Sequence, residues 1–132
     1  MDLKDLTPTN DTVDVKLVHP VTFDPLVNDD GSQMTITVYA QHSKEYKKAS
    51  HEQTNRRLKQ AQGRKRIEIT AEDIEDMSVE MLAQTTKSWD ITFDGKKPKL
   101  TIEKAKDIYK EVFWIRDQIE EALSSSLDFT KA

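Results

Sequence analysis

Residues 34–50 read Met-Thr-Ile-Thr-Val-Tyr-Ala-Gln-His-Ser-Lys-Glu-Tyr-Lys-Lys-Ala-Ser, and the hydrophobic period changes inside that stretch. Met34, Ile36, Val38 and Ala40 alternate with Thr35, Thr37 and Tyr39, the period of two expected of a strand with one apolar face. At Ser43 the alternation stops. Ser43 is a good N-cap for a long polar helix over about 43–62, with Gly63 as its C-terminal stop. Upstream, Val13, Val15 and Leu17 alternate with Asp14, Lys16 and Val18, which predicts a second strand that Pro20 ends or confines to an edge. Pro25 and Asn28-Asp29-Asp30-Gly31 lie between the two strands, where Gly31 can take the positive φ of a tight turn. A small antiparallel sheet or hairpin over about 13–40 follows.

Downstream, Thr70-Ala71-Glu72-Asp73 resembles a capping box in its Asp form and opens a helix whose Ile74, Met77, Met81, Leu82 and Thr85 share a face. Trp89-Asp90-Ile91-Thr92-Phe93 reads as a short extended piece before an Asp94-Gly95 turn. Thr101 caps the next helix, with Ile102, Ala105, Tyr109 and Val112 on one face. Phe113-Trp114-Ile115 breaks the period, and a last helix presents Ile115, Ile119, Ala122 or Leu123, then Leu127 or Phe129. The C-terminal helices thus occupy about 70–128. Strands come first and three to four helices after them, with no βαβ alternation, so the class is α+β. Residues 1–12 read as a flexible tail and 13–132 as a single domain.

Composition narrows the function. The chain has 132 residues, 36% hydrophobic and 33% charged, with a mean hydropathy of -0.73. It lacks cysteine, which excludes disulfides, thiolate metal sites and cysteine nucleophiles. No apolar run approaches the roughly 20 residues that span a bilayer, and the first residues do not resemble a signal peptide, so a cytoplasmic, non-membrane protein is expected. His19, His42 and His51 are too far apart in sequence to share a helix-face metal site. Reading Gly31 as the sixth position of a calcium loop would put Leu26 first and Thr37 last, where carboxylates are needed, so a plain turn is the better reading. Three glycines at 31, 63 and 95 cannot form a phosphate cradle, and the carboxylate pairs lie on helix faces that meet water. No cofactor and no enzymatic activity are expected.

The formal charge of -4 conceals a partition. Residues 1–43 carry two basic and seven acidic side chains, 44–66 nine and two, and 67–132 nine and fifteen. The basic island includes Lys47, Lys48, Arg56, Arg57, Arg64, Lys65 and Arg66. It could neutralise nucleic-acid phosphates. An acidic chain with only Tyr46 interleaved for stacking favours instead a solvated helix, or an electrostatic handle for a second copy in an open, head-to-tail assembly. Met77 and Met81 either fill core space or line a groove for a helix. Phe113 and Trp114 cannot share one buried face with both neighbours, so either one of them meets a partner or, the favoured reading, they belong to a core cluster at the helix junction.

From Trp89 onward the order of features resembles a known family. The segment Trp89–Phe93, the Asp94-Gly95 turn, the helix start Thr101–Lys104, the bend with Tyr109, Phe113, Trp114 and Ile115, and the helix beginning Arg116–Ile119 resemble the C-terminal half of tail assembly chaperones of long-tailed bacteriophages. One departure is Phe113, where family members often carry Pro. The resemblance covers about 40 residues and implies a non-enzymatic role in the host cytoplasm. Such chaperones bind and solubilise the tape measure protein in many copies, help recruit tail tube protein, and are absent from the mature virion. It would make Met77, Met81, Trp89 and Trp114 partner-binding candidates and the basic stretch a self-association surface. The competing classes are a nucleic-acid-binding protein acting through 44–66 and a structural tail subunit.

Overall fold

The computed structural model describes residues 2–3, 11–62 and 69–125. Three strands, β1 (Thr12–Lys16), β2 (Thr35–Tyr39) and β3 (Thr86–Asp90), form one antiparallel sheet in the order β1-β2-β3. Four helices complete the chain: α1 (Lys44–Gln62), α2 (Ala71–Gln84), α3 (Ile102–Glu111) and α4 (Trp114–Ser125). The α+β class expected from the sequence is the one found. The third strand corrects the expectation that strands lie only in the N-terminal half, since β3 enters the sheet between α2 and α3. The expected 1–12 tail falls outside the described residues apart from Asp2, Leu3, Asp11 and Thr12, and Thr12 already belongs to β1. Gly63, Leu127 and Phe129 also lie outside them.

Alternation dictates which face of the sheet is covered. Val15, Leu17, Ile36 and Val38 point to one side and are buried, while Asp14 and Lys16 on the other side are exposed. Facing β2, Asp14 accepts a hydrogen bond from the Thr37 hydroxyl at 2.8 Å. β3 joins β2 with a register shift between Thr37 and Val38. That bulge lets Thr86 and Trp89, three residues apart, both turn toward the core side.

The helices bury Val79, Leu82 and Ala83 of α2, Ala105, Ile108 and Tyr109 of α3, and Ile115, Ile119 and Leu123 of α4 against that face. Two of the expected helix faces are thereby corrected. In α3, Ile108 is buried with Ala105 and Tyr109, while Ile102, the first residue after the Thr101 cap, is exposed. In α2, Ile74 is exposed and Val79 with Ala83 supply the core contact.

Polar ties close the core. Thr86 donates to the Leu82 carbonyl at 2.7 Å, so its hydroxyl proton is committed, and Tyr109 must donate across the 2.6 Å contact to Thr86 Oγ1. Gln118 of α4 reaches the backbone of Val18 just past β1, accepting its N–H at 3.0 Å and donating to its carbonyl at 2.8 Å. Lys110 of α3 meets Asp76 at 3.0 Å, and Arg116 of α4 meets Glu75 at 3.3 Å. The acidic flank of α2 is therefore engaged by the two helices beside it.

Candidate functional site

The site is assembled from α1, α2 and the C-terminal half of α4. The Ser43 hydroxyl accepts the Tyr46 N–H at 3.1 Å and starts α1 in the expected place. Thr70 and Asp73 form the full capping box, each side chain accepting the other's backbone N–H at 3.1 Å, and this fixes the rotation of α2. With that rotation Val79, Leu82 and Ala83 enter the core, while Ile74, Met77, Ser78 and Met81 form a second stripe at helical spacing outside it. α2 is thus apolar on two sides, and only one of them is consumed by the fold.

The second stripe is the floor of an open groove of about 430 Å³. Tyr46 and Gln53 of α1 make one wall, and Glu120, Leu123 and Ser124 of α4 make the other. Gln53 donates to the Met77 carbonyl at 2.9 Å, and Arg56 pairs with Glu80, which also accepts from Gln84 at 3.3 Å. These bonds fix α1 across α2. On the opposite wall Ser78 donates to Glu120 at 3.4 Å. Ile74 is 59% exposed, and Met77 and Met81 are half-buried. Unbranched thioethers beside an exposed isoleucine suit an apolar helix of variable sequence, because they adjust rotamers at small cost.

Of the four partner-binding candidates, Met77 and Met81 line this groove and the two tryptophans do not. Trp89 donates its indole N–H to the Pro98 carbonyl at 2.9 Å and stands edge-on to Tyr109 with ring centroids 6.3 Å apart, so it braces β3 against α3. Trp114 opens α4, half-buried against the core, while Phe113 beside it is 63% exposed. Among the basic candidates, Lys47, Lys48 and Arg57 are exposed on α1, Arg56 is held by Glu80, and Arg64, Lys65 and Arg66 lie outside the described residues. Sequence reasoning missed the walls, above all Tyr46, Gln53, Glu120 and Leu123. The available signal was the surplus of apolar residues on α2, too many for a single face.

A second polar cluster joins the 28–32 turn to the end of β3. Asn28 is buried, bonds to Ser32 and Asp90 through its Nδ2, and accepts from the Thr92 hydroxyl at 2.6 Å. Gly31 has φ +87°, as the turn required. The Lys97 ammonium lies 2.8 Å from Asp30 and 3.0 Å from Asp90, in the place a cation would take between the two carboxylates. Lys97, with help from the Ser32 hydroxyl and N–H, holds the Asp30 carboxyl well below the usual carboxylate range, and Asp30 and Asp90 raise the Lys97 ammonium in turn. The cluster is a structural clasp. Among the described residues, no group of three or more His, Asp or Glu side chains is placed to hold a metal ion, and no helix is long and apolar enough to cross a membrane.

The chain matches no protein-family model, no curated protein and no solved structure.

Proposed function

We propose that this protein is a tail assembly chaperone of a long-tailed bacteriophage, which binds helices of the tape measure protein in the α1–α2–α4 groove and keeps them soluble. The observation that carries this reading is the Ile74, Met77 and Met81 stripe, left outside the core by a helix whose other face is fully used. The run of features from Trp89 to Ile119 supports the family. An open, apolar groove with polar rims is what an amphipathic helix requires of its receptor, and many weak copies along one long helix would suffice for solubility. The reading is non-enzymatic, since it requires only burial of a partner's apolar surface, with recruitment of tail tube protein following from the bound complex.

Co-expression with the tape measure protein of the same phage tests it. The wild type should keep that protein in the soluble fraction and co-purify with it. Ile74→Asp should cut the co-purified amount about tenfold, because an exposed position costs little in folding while a carboxylate on the groove floor must be desolvated against an apolar helix. A tape measure protein that precipitates despite the wild type, or that co-purifies equally with Ile74→Asp, refutes the proposal.

A further inference from the structure

The second half of α1 is built as if for a contact that one copy of the chain does not make. Every side chain described from Thr54 to Gln60 is exposed, including Leu58 at 57%. α1 is anchored on α2 through Gln53 and Arg56 and then runs on for two turns without support. A helix that short is marginal in water without tertiary contacts.

We infer that residues 54–62 of α1 dock into the α2–α4 groove of a second copy of this chain. The groove has an apolar floor waiting for a residue such as Leu58. Glu120 on its α4 wall, and Asp117 one turn before it on the same helix, have no cation partner among the described residues, while Arg57 and Lys59 flank Leu58 and have no carboxylate partner there either. Apolar residue meets apolar floor, and cations meet anions. The same contact cannot form within one molecule, because α1 supplies Tyr46 and Gln53 to its own groove and a straight helix carries 54–62 onward, away from it.

Donor and acceptor surfaces differ, so a single contact leaves one tail and one groove open, and association continues head-to-tail unless two copies exchange tails reciprocally. Nine residues of helix are about 13 Å long, and a contact of that size falls below the roughly 1,200 Å² of stable complexes, which makes it weak and exchangeable. On the function proposed above, and resting on it, the tail of a neighbouring copy would shield the methionines until a longer tape measure helix displaces it.

Sedimentation velocity on the full chain, across a wide concentration range and at low and high salt, reads the contact directly. The expected result is concentration-dependent association that weakens with salt, running past the dimer where tails are not exchanged in pairs. Leu58→Asp should weaken it about tenfold or more with an unchanged melting temperature. Arg57→Glu with Lys59→Glu should do likewise, and adding Asp117→Lys with Glu120→Lys should restore it. A wild type that stays monomeric, or Leu58→Asp assembling like wild type, overturns the inference. So does assembly that appears only after residues 126–132 are deleted, which would make those residues the occupant. Leu58→Asp keeps its own groove intact, so its solubilisation of the tape measure protein reports on the chaperone reading separately.

Discussion

Tyr109→Phe offers the sharpest test of how the core holds α2 and α3 together. The phenol is fully buried and donates to Thr86, whose own proton goes to the Leu82 carbonyl. Removing the hydroxyl leaves the Thr86–Leu82 bond in place and deletes one buried hydrogen bond, a loss of about 1 kcal/mol at neutral pH. The larger signature is alkaline. Burial pushes the Tyr109 hydroxyl from 10 up to about 12. A group whose folded-state pKa is raised contributes its stability in full below the unfolded value and loses it as pH rises toward the folded one. The wild type therefore gives up about 1.4 kcal/mol from this residue between neutral pH and pH 11, and about 3 kcal/mol once pH passes 12, whereas the phenylalanine variant gives up none. Urea unfolding of both proteins at pH 7 and pH 11 cancels the titration of the lysines, which is common to the two. The stability difference should shrink by about 1.4 kcal/mol, enough to erase or reverse the wild type's advantage. A difference that stays constant from pH 7 to pH 11 would show that the Tyr109 hydroxyl is solvated and not enclosed against Thr86.

The clasp and the core packing each have a further measurable outcome. In acid, the depressed Asp30 carboxyl contributes stability that is present above its unfolded value, about 4, and lost as pH falls through the folded one. Lys97→Met removes the largest cause, so the melting temperature of this variant should fall less steeply than that of wild type between pH 5 and pH 2, and parallel acid limbs would contradict the clasp. Ile119→Ala should cost about 3 kcal/mol in urea unfolding, and Ile74→Ala less than about 0.5 kcal/mol, because only Ile119 is fully enclosed. Similar costs for the two would mean that α2 is rotated from the position described.

Much of this architecture is legible in the chain because local signals agree with the packing they serve. The strands at Val13–Leu17 and Met34–Ala40 have their inward residues at strict period two, and Ser43, Thr70 and Thr101 cap the helices they were expected to open. β3 is illegible for an identifiable reason. Thr86-Lys87-Ser88-Trp89-Asp90 contains one apolar residue, its other inward position is a threonine satisfied by Tyr109, and the bulge opposite Thr37 and Val38 breaks the parity that an alternation search relies on. The groove was half legible. Met77 and Met81 were singled out for their chemistry, but the residues facing them come from α1 and α4, which are distant in sequence and meet α2 only after the sheet has set the helix positions. Charge partition pointed to α1, but not to the extension of the helix two turns beyond its last anchor.

The amide of Gln118 has one further consequence. A three-stranded sheet has two outer strands whose spare peptide groups can recruit foreign chain, the usual route to fibrous aggregates. By copying the donor and acceptor of a neighbouring strand at Val18, Gln118 blocks that recruitment at the downstream end of β1. An edge left open there would offer another chain a ladder of unpaired peptide groups to extend. With that end of the ladder stoppered by a side chain, the open apolar side chains of the helices, Leu58 and Ile74 among them, are where a contact can be tuned one residue at a time.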